Sequence, residues 1–353
     1  MSYLFAFLFF TGLSAGSLAI LMVYQVTGGA WGDYIRPQLL AAARILPLQA
    51  ILVLPMLLGL RVLYPWARAD ALASDSLLRA QSWYLDSTFF VARSLAYFVL
   101  WLVLVALVAR RSEDPNRRAT PAGLAAAGLI VYALTTLLAA TDWAMSLLPH
   151  WHSSTFGMMV ATGWMLAAAA LAVLCAMLEP KSTETRSPAP PLRTQPQAEP
   201  PLHDLGNLLL MFVLVWSYLA FMQYLTIWIA DQPVETAWYI PRTLTSWRWL
   251  AWFLIAFHFA VPFAVLLSRR AKHRRSWLAG VAALLLFANL ADALWLIVPN
   301  FRAQGFTLRW TDLWAPLGMG GVWLCVYLGQ LRSARWPEAP VRLMPLRLEK
   351  GHG

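Results

Sequence analysis

Long apolar runs broken by short polar or Pro-rich stretches make up the chain. A helix needs about 20 mostly apolar residues to cross the hydrocarbon core of a bilayer. Such a segment must be helical, because lipid offers no partner to free backbone N–H and C=O groups. Nine runs meet that length: residues 3–26, 38–60, 88–108, 121–148, 156–178, 205–230, 247–267, 277–298 and 313–331. Arg44, Pro47 and Pro55 interrupt the second and make it the least regular.

The stretch 179–203 carries Pro180, Pro188, Pro190, Pro191, Pro196, Pro200 and Pro201 among scattered charges, the composition of an extended linker. It separates residues 1–178, with spans one to five, from 204–335, with the remaining spans; 336–353 reads as a polar tail. The two sides of the linker repeat faintly. Asp142 precedes Pro149 by seven residues at the end of span four, and Asp292 precedes Pro299 by the same interval at the end of span eight. Spans three and seven run into Arg110-Arg111 and Arg269-Arg270. Paired halves often enclose a functional interface. The fold expected is an all-α polytopic membrane protein: two four-helix bundles running in the same sense and one peripheral helix.

Composition agrees with this class. Of 353 residues 60% are hydrophobic and 12% charged, a balance that no water-soluble fold can bury. The 19 Trp suit the two faces of a bilayer. A net charge of +10 would fit nucleic-acid binding, but the cations lie between apolar runs, as in loops kept on the cytoplasmic side of a membrane. Eighteen fall on one side: Arg36; Arg110, Arg111, Arg117 and Arg118; Lys181, Arg186 and Arg193; Arg269, Arg270, Lys272, Arg274 and Arg275; and Arg332, Arg335, Arg342, Arg347 and Lys350. Seven fall on the other: Arg61, Arg68, Arg79, Arg242, Arg248, Arg302 and Arg309. This bias predicts an outward N-terminus, a cytoplasmic C-terminus and no cleavable signal peptide. Cys175 and Cys325 are too few for an iron–sulfur cluster, a structural zinc or a disulfide framework.

Ionisable residues inside spans are costly and are functional candidates by default. Asp142 and Asp292 lie about two helical turns below their prolines. Buried without a cation, either could exist neutral and relay a proton; the alternative is a carboxyl bonded to a neighbouring helix. His258 is the one histidine well inside a span, so a bis-histidine haem is not expected. It serves as a proton relay or bonds a carbonyl freed by Pro262. Arg44 must find a carboxylate or snorkel, and a structural ion pair is expected there. In the stretch 223–239, Asp231 and Glu235 share a helical face only if Pro233 permits it, and the aromatics around them fit a loop packed on another protein. Gly12 and Gly16 have the spacing of a close helix contact.

The run Asp142-Trp143-Ala144-Met145-Ser146-Leu147-Leu148-Pro149-His150-Trp151-His152-Ser153-Ser154-Thr155, the stretch 221–239, and His258-Phe259-Ala260-Val261-Pro262-Phe263 with Leu266-Leu267-Ser268-Arg269 resemble a known family. It is the ActF-type membrane subunit of alternative complex III, within the polysulfide-reductase-like NrfD/PsrC group. Val26 to Gly32, Leu63-Tyr64-Pro65-Trp66, Tyr84-Leu85-Asp86 and Phe89-Phe90-Val91-Ala92-Arg93 extend the likeness. It implies a respiratory quinol:cytochrome c oxidoreductase-type complex in a bacterial inner membrane and a proton path through Asp142, His258, Asp292, Asp231 and Glu235. It also implies integral membrane and cytochrome partners, including a terminal oxidase, with haem and iron–sulfur centres in those partners and no cofactor bound here. The quinol site is implied chiefly for a paralogous subunit; in this chain His150, His152, Gln223 and Tyr224 are the candidates for quinone contact. Leu148 stands where the family string usually has Glu, and the outer loop has Asp231-Gln232-Pro233-Val234-Glu235 where Asn-x-Pro-Glu-Glu is usual. Those departures weaken proton conduction more than the fold. A proton-coupled secondary transporter and a non-catalytic anchor subunit are the competing functional readings.

Overall fold

The computed structural model describes residues 1–113, 122–179 and 201–333, and every regular element among them is helical. The Pro-rich linker apart from its two ends and the polar tail lie outside the described residues, as do Arg117, Arg118, Lys181, Arg186, Arg193 and the cations after residue 333. Eight helices among the described residues have the length and apolarity to cross a membrane. They are α1 (Ser2–Thr27), α2 (Ala30–Leu58), α3 (Ser87–Glu113), α4 (Ala122–Trp143), α5 (Phe156–Leu178), α6 (Leu202–Ala230), α7 (Arg248–Leu267) and α8 (Arg275–Ile297). The expected ninth span is α9 (Trp310–Ser333), 24 residues long. Glycines, tryptophans and Gln330 dilute it below the apolarity of the other eight.

Helix α2 begins eight residues before the expected start, because Gly28 and Gly29 turn the chain at φ 66° and 108°. The three residues that interrupt its sequence also mark its breaks. The first piece ends at Arg44, and Pro47 and Pro55 stand in the opening turns of the next two, where a missing N–H costs least.

Helices α1 and α5 lie side by side at the centre, α1 buried along nearly its whole length. Gly12 and Gly16 face Trp164 of α5. A Cβ on Gly12 would overlap the indole, and one on Gly16 would overlap the backbone carbonyl, so the glycine spacing sets how closely the two helices approach. Around this pair α1 packs on α2 and α4, and α3 closes the ring against α2 and α4. In the second half α5 packs on α6 and α8, and α7 closes against those two. The result is two four-helix bundles joined through α1, α5, α8 and α4. Helix α9 lies outside them on α1 and α2, where Trp323 Nε1 donates to Ser14 Oγ at 3.1 Å. Large apolar side chains such as Trp249, Trp252 and Ile255 of α7 are exposed, as lipid-facing surfaces require.

Candidate functional site

The loops at residues 64–86, 144–155, 231–247 and 298–309 gather at what is termed here the aromatic end of the bundles. The end bearing Arg269 to Arg275 is the basic end. Below the aromatic end each bundle buries one acid, and the two acids have different surroundings.

In the first bundle Asp142, in the last turn of α4, is 0% exposed. Arg93 of α3 grips it through Nε to Oδ2 and Nη2 to Oδ1, both 2.9 Å, and the Tyr97 hydroxyl donates to Oδ2 at 2.6 Å. Arg93 also donates to the carbonyl of Tyr84 at 2.9 Å and lies 3.9 Å from that ring. The acid is thus paired with a cation and hydrogen-bonded, contrary to the free carboxyl a relay would use. Serving as a relay would mean giving up this two-pronged guanidinium pair, among the strongest contacts open to a carboxylate.

In the second bundle Asp292 on α8 receives no ion pair among the described residues. Trp216 of α6 faces its carboxyl, yet the indole Nε1 completes no hydrogen bond. The same indole lies against His258 of α7 with ring centroids 3.9 Å apart. His258 is 0% exposed and neither ring nitrogen has a partner, which corrects the expectation that it bonds a carbonyl freed by Pro262. Around His258, residues Leu254–Ala260 form a wide π turn just before Pro262. Such turns absorb the missing proline N–H and recur at functional sites. Asn289, one turn before Asp292, uses Nδ2 on the carbonyl of Leu285 at 2.9 Å. Gly163 of α5 leaves room beside this group, since a Cβ there would lie 3.5 Å from Trp216 Nε1 and 3.7 Å from Asn289 Oδ1. Each buried, unsatisfied polar atom costs about 1–3 kcal/mol, so such a cluster calls for a role.

Above the acids, a cavity of about 510 Å³ lies between α4, α5 and α6 at the aromatic end. Leu137, Met145 and Ile227 form its apolar wall, and Thr141, His152, Gln223 and Glu235 its polar one. Ser153 donates to Gln223 Oε1 at 3.2 Å, and Gln223 Nε2 donates to the Tyr239 hydroxyl at 3.3 Å. Burial pushes the Tyr239 phenol up to about 12, so it stays protonated. A smaller space of about 210 Å³ shares Thr141, Met145 and His152 and is floored by Tyr84 and Ser146, neighbours of the Arg93–Asp142 pair.

The loops of the two halves interlock over these spaces. Trp151 stacks on Trp238 at 5.1 Å between centroids, and Trp238 meets Trp295 edge-on at 5.1 Å. Trp151 Nε1 donates to the carbonyl of Glu235 at 3.0 Å. Arg242, 0% exposed, donates to the carbonyls of Trp238, Trp295 and Leu296 at 2.6, 3.2 and 2.8 Å and to Asn300 Oδ1 at 3.0 Å. Burial pulls its guanidinium well below its ordinary value, and the carbonyls at the end of α8 answer its charge. The buried aromatics of 223–239 therefore pack on this chain itself, while Tyr224 and Trp228 are exposed.

Of the predicted residues, the large cavity gathers His152, Gln223 and Glu235. His150 turns away, its Nε2 2.7 Å from Asp75 Oδ2. Desolvation pushes the Asp75 carboxyl up, but the N–H of Leu78, His150 and the N–H of Leu77 outweigh it and hold the group below the usual carboxylate range. Tyr224 is 44% exposed beside Tyr239, off the cavity. Asp231 is exposed and ends α6 in the left-handed conformation at φ 46°; Pro233 then opens a new turn, so Asp231 and Glu235 share no helical face. Arg44 stands at the first break in α2. Sequence reasoning missed Arg93, Tyr97, Trp216 and Arg242 as site residues. For Arg93 the signal was there: a cation in a span requires a carboxylate, and Asp142 is one span away.

Fold and site together define an all-α polytopic membrane protein with a buried polar cluster in each half. No protein-family model matches the chain, and no curated protein matches it.

Proposed function

We propose that the chain is a membrane subunit of a quinol:cytochrome c oxidoreductase-type respiratory assembly and that its second bundle passes protons. The observation that carries this reading is the contrast between the two buried acids. Asp142 is locked by Arg93 and Tyr97, whereas Asp292 faces Trp216 with no cation paired to it among the described residues, and Trp216 Nε1 and both His258 nitrogens are unsatisfied in the membrane interior. A carboxyl and an imidazole held near each other away from water suit stepwise proton transfer. Electron transfer belongs to haem and iron–sulfur centres on partner subunits. The cavity at the aromatic end supports contact with quinol there: its volume falls in the range of small-molecule sites, with a polar wall at His152, Gln223 and Glu235 and an apolar one opposite. The cation bias supports a cytoplasmic basic end in a bacterial inner membrane.

The test is proton release per electron by the intact assembly in proteoliposomes supplied with quinol and cytochrome c. Asp292→Asn and His258→Phe should each bring it down to the protons that quinol oxidation itself releases, with the assembly still formed. Unchanged release in both variants would remove the cluster from the mechanism. Purification of the native protein with no cytochrome subunit attached would sink the assembly reading separately.

A further inference from the structure

The basic end of the second bundle carries a feature that proton transfer does not use. Between α7 and α8, at the ends nearest Arg269 to Arg275, lies an open groove of about 420 Å³. Val261 and Val265 form one wall, and Trp277, Val281 and Leu284 the other. Gly280 keeps it open, since a Cβ there would meet nothing within 4 Å. The groove is apolar and faces outward, with Val261 and Trp277 38% and 52% exposed.

The chain segment at the mouth of this groove is Ser268-Arg269-Arg270-Ala271-Lys272-His273-Arg274-Arg275. Two of its cations serve the fold. Arg275 donates to the carbonyls of Ala176, Met177 and Glu179 at 3.0, 3.1 and 3.0 Å, closing the end of α5. Lys272 is buried, with Nζ 2.5 Å from Asn207 Oδ1 of α6. Arg269, Arg270 and Arg274 are exposed, and none makes a hydrogen bond or ion pair among the described residues. No acid occurs in the sequence between Glu235 and Asp292 to neutralise them.

We propose that this end of the second bundle holds one anionic phospholipid, its phosphate on Arg269, Arg270 and Arg274 and an acyl chain in the groove between α7 and α8. Charge complementarity selects the occupant. Three unpaired guanidiniums at a membrane surface favour a phosphate diester, for which the fork of donors on arginine is well shaped. The apolar groove leading from them along two spans accepts a hydrocarbon chain and offers a soluble anion nothing. Neither the redox assembly nor the proton path is needed for this site.

The experiment uses the full chain in nanodiscs of phosphatidylcholine containing a minor fraction of phosphatidylglycerol, with native mass spectrometry reading the lipid retained. Retention of phosphatidylglycerol over phosphatidylcholine is expected. One basic side chain near an anionic surface is worth a factor of roughly five, so the triple variant R269Q/R270Q/R274Q should lose on the order of 100-fold in affinity. Gly280→Leu fills the groove without changing charge and should also reduce retention, which keeps the test valid should the triple variant fail to fold. Equal retention of the two lipids, retention unaffected by both variants, or displacement of lipid by an acidic protein segment would overturn the proposal.

Discussion

The Arg93–Asp142 pair allows a quantitative test of how the first bundle is held. Asp142 receives three charge-assisted hydrogen bonds, at 2.9, 2.9 and 2.6 Å, and has no exposure. Removing either member of such a pair strands a charge in a low-dielectric interior, at a cost of about 3–5 kcal/mol. Arg93→Met and Asp142→Leu should therefore each lower the unfolding temperature of the purified protein substantially. The double variant leaves no charge behind. What it leaves is the Tyr97 hydroxyl without an acceptor and the Tyr84 carbonyl without its Arg93 donor, a loss of about 1–3 kcal/mol for each. The double variant should thus be more stable than either single one, and adding Tyr97→Phe should recover the share that belongs to the hydroxyl. The assay is a thermal-unfolding series in one detergent, followed by tryptophan fluorescence and by loss of the monodisperse peak. Additive costs, with the double variant as unstable as the two singles combined, would refute the assignment of this pair as a mutually dependent unit.

Gly16→Leu should abolish the monodisperse folded species on size exclusion, since its side chain would have to displace the backbone of α5 at Trp164, while Gly280→Leu leaves helix packing intact and serves as the control. Replacing Arg242 by Leu strands the carbonyls of Trp238, Trp295 and Leu296, and the unfolding temperature should fall by more than it does for exposed Arg248→Leu. Because the folded Asp75 carboxyl is held below its unfolded value near about 3.9, its contribution is complete above that value and is lost as pH falls through the lower folded one. Limited proteolysis between residues 69 and 84 should accelerate over that acid window in the parent protein and show a smaller pH response in Asp75→Asn.

Length and apolarity made the spans legible, because a bilayer fixes how many residues a crossing needs. The breaks in α2 could be placed near Pro47 and Pro55, since a missing N–H acts locally, although Pro37 is carried inside the first piece without a break. The equivalence of Asp142 and Asp292 was also visible as an interval from proline. Their difference was not. It depends on Arg93 and Tyr97 projecting from one neighbouring helix and on Trp216 and His258 projecting from two others, which a linear spacing does not encode. Pro262 pointed to an unsatisfied carbonyl and suggested His258 as its donor, but the backbone widened into a π turn instead. The aromatics of 223–239 implied a covering surface, and composition alone could not tell that Trp151 and Trp295 of the same chain supply it.

The run of Trp151, Trp238 and Trp295 has a mechanical consequence. Trp151 and Trp238 come from the loops that follow α4 and α6, and Trp295 from the last turn of α8, so the Trp151–Trp238 contact bolts the roof of one half to the roof of the other. Turning the two halves against each other at this end would have to shear the Trp151–Trp238 stack and break the bond from Trp151 Nε1 to the Glu235 carbonyl. At the aromatic end the two halves are thus braced against each other.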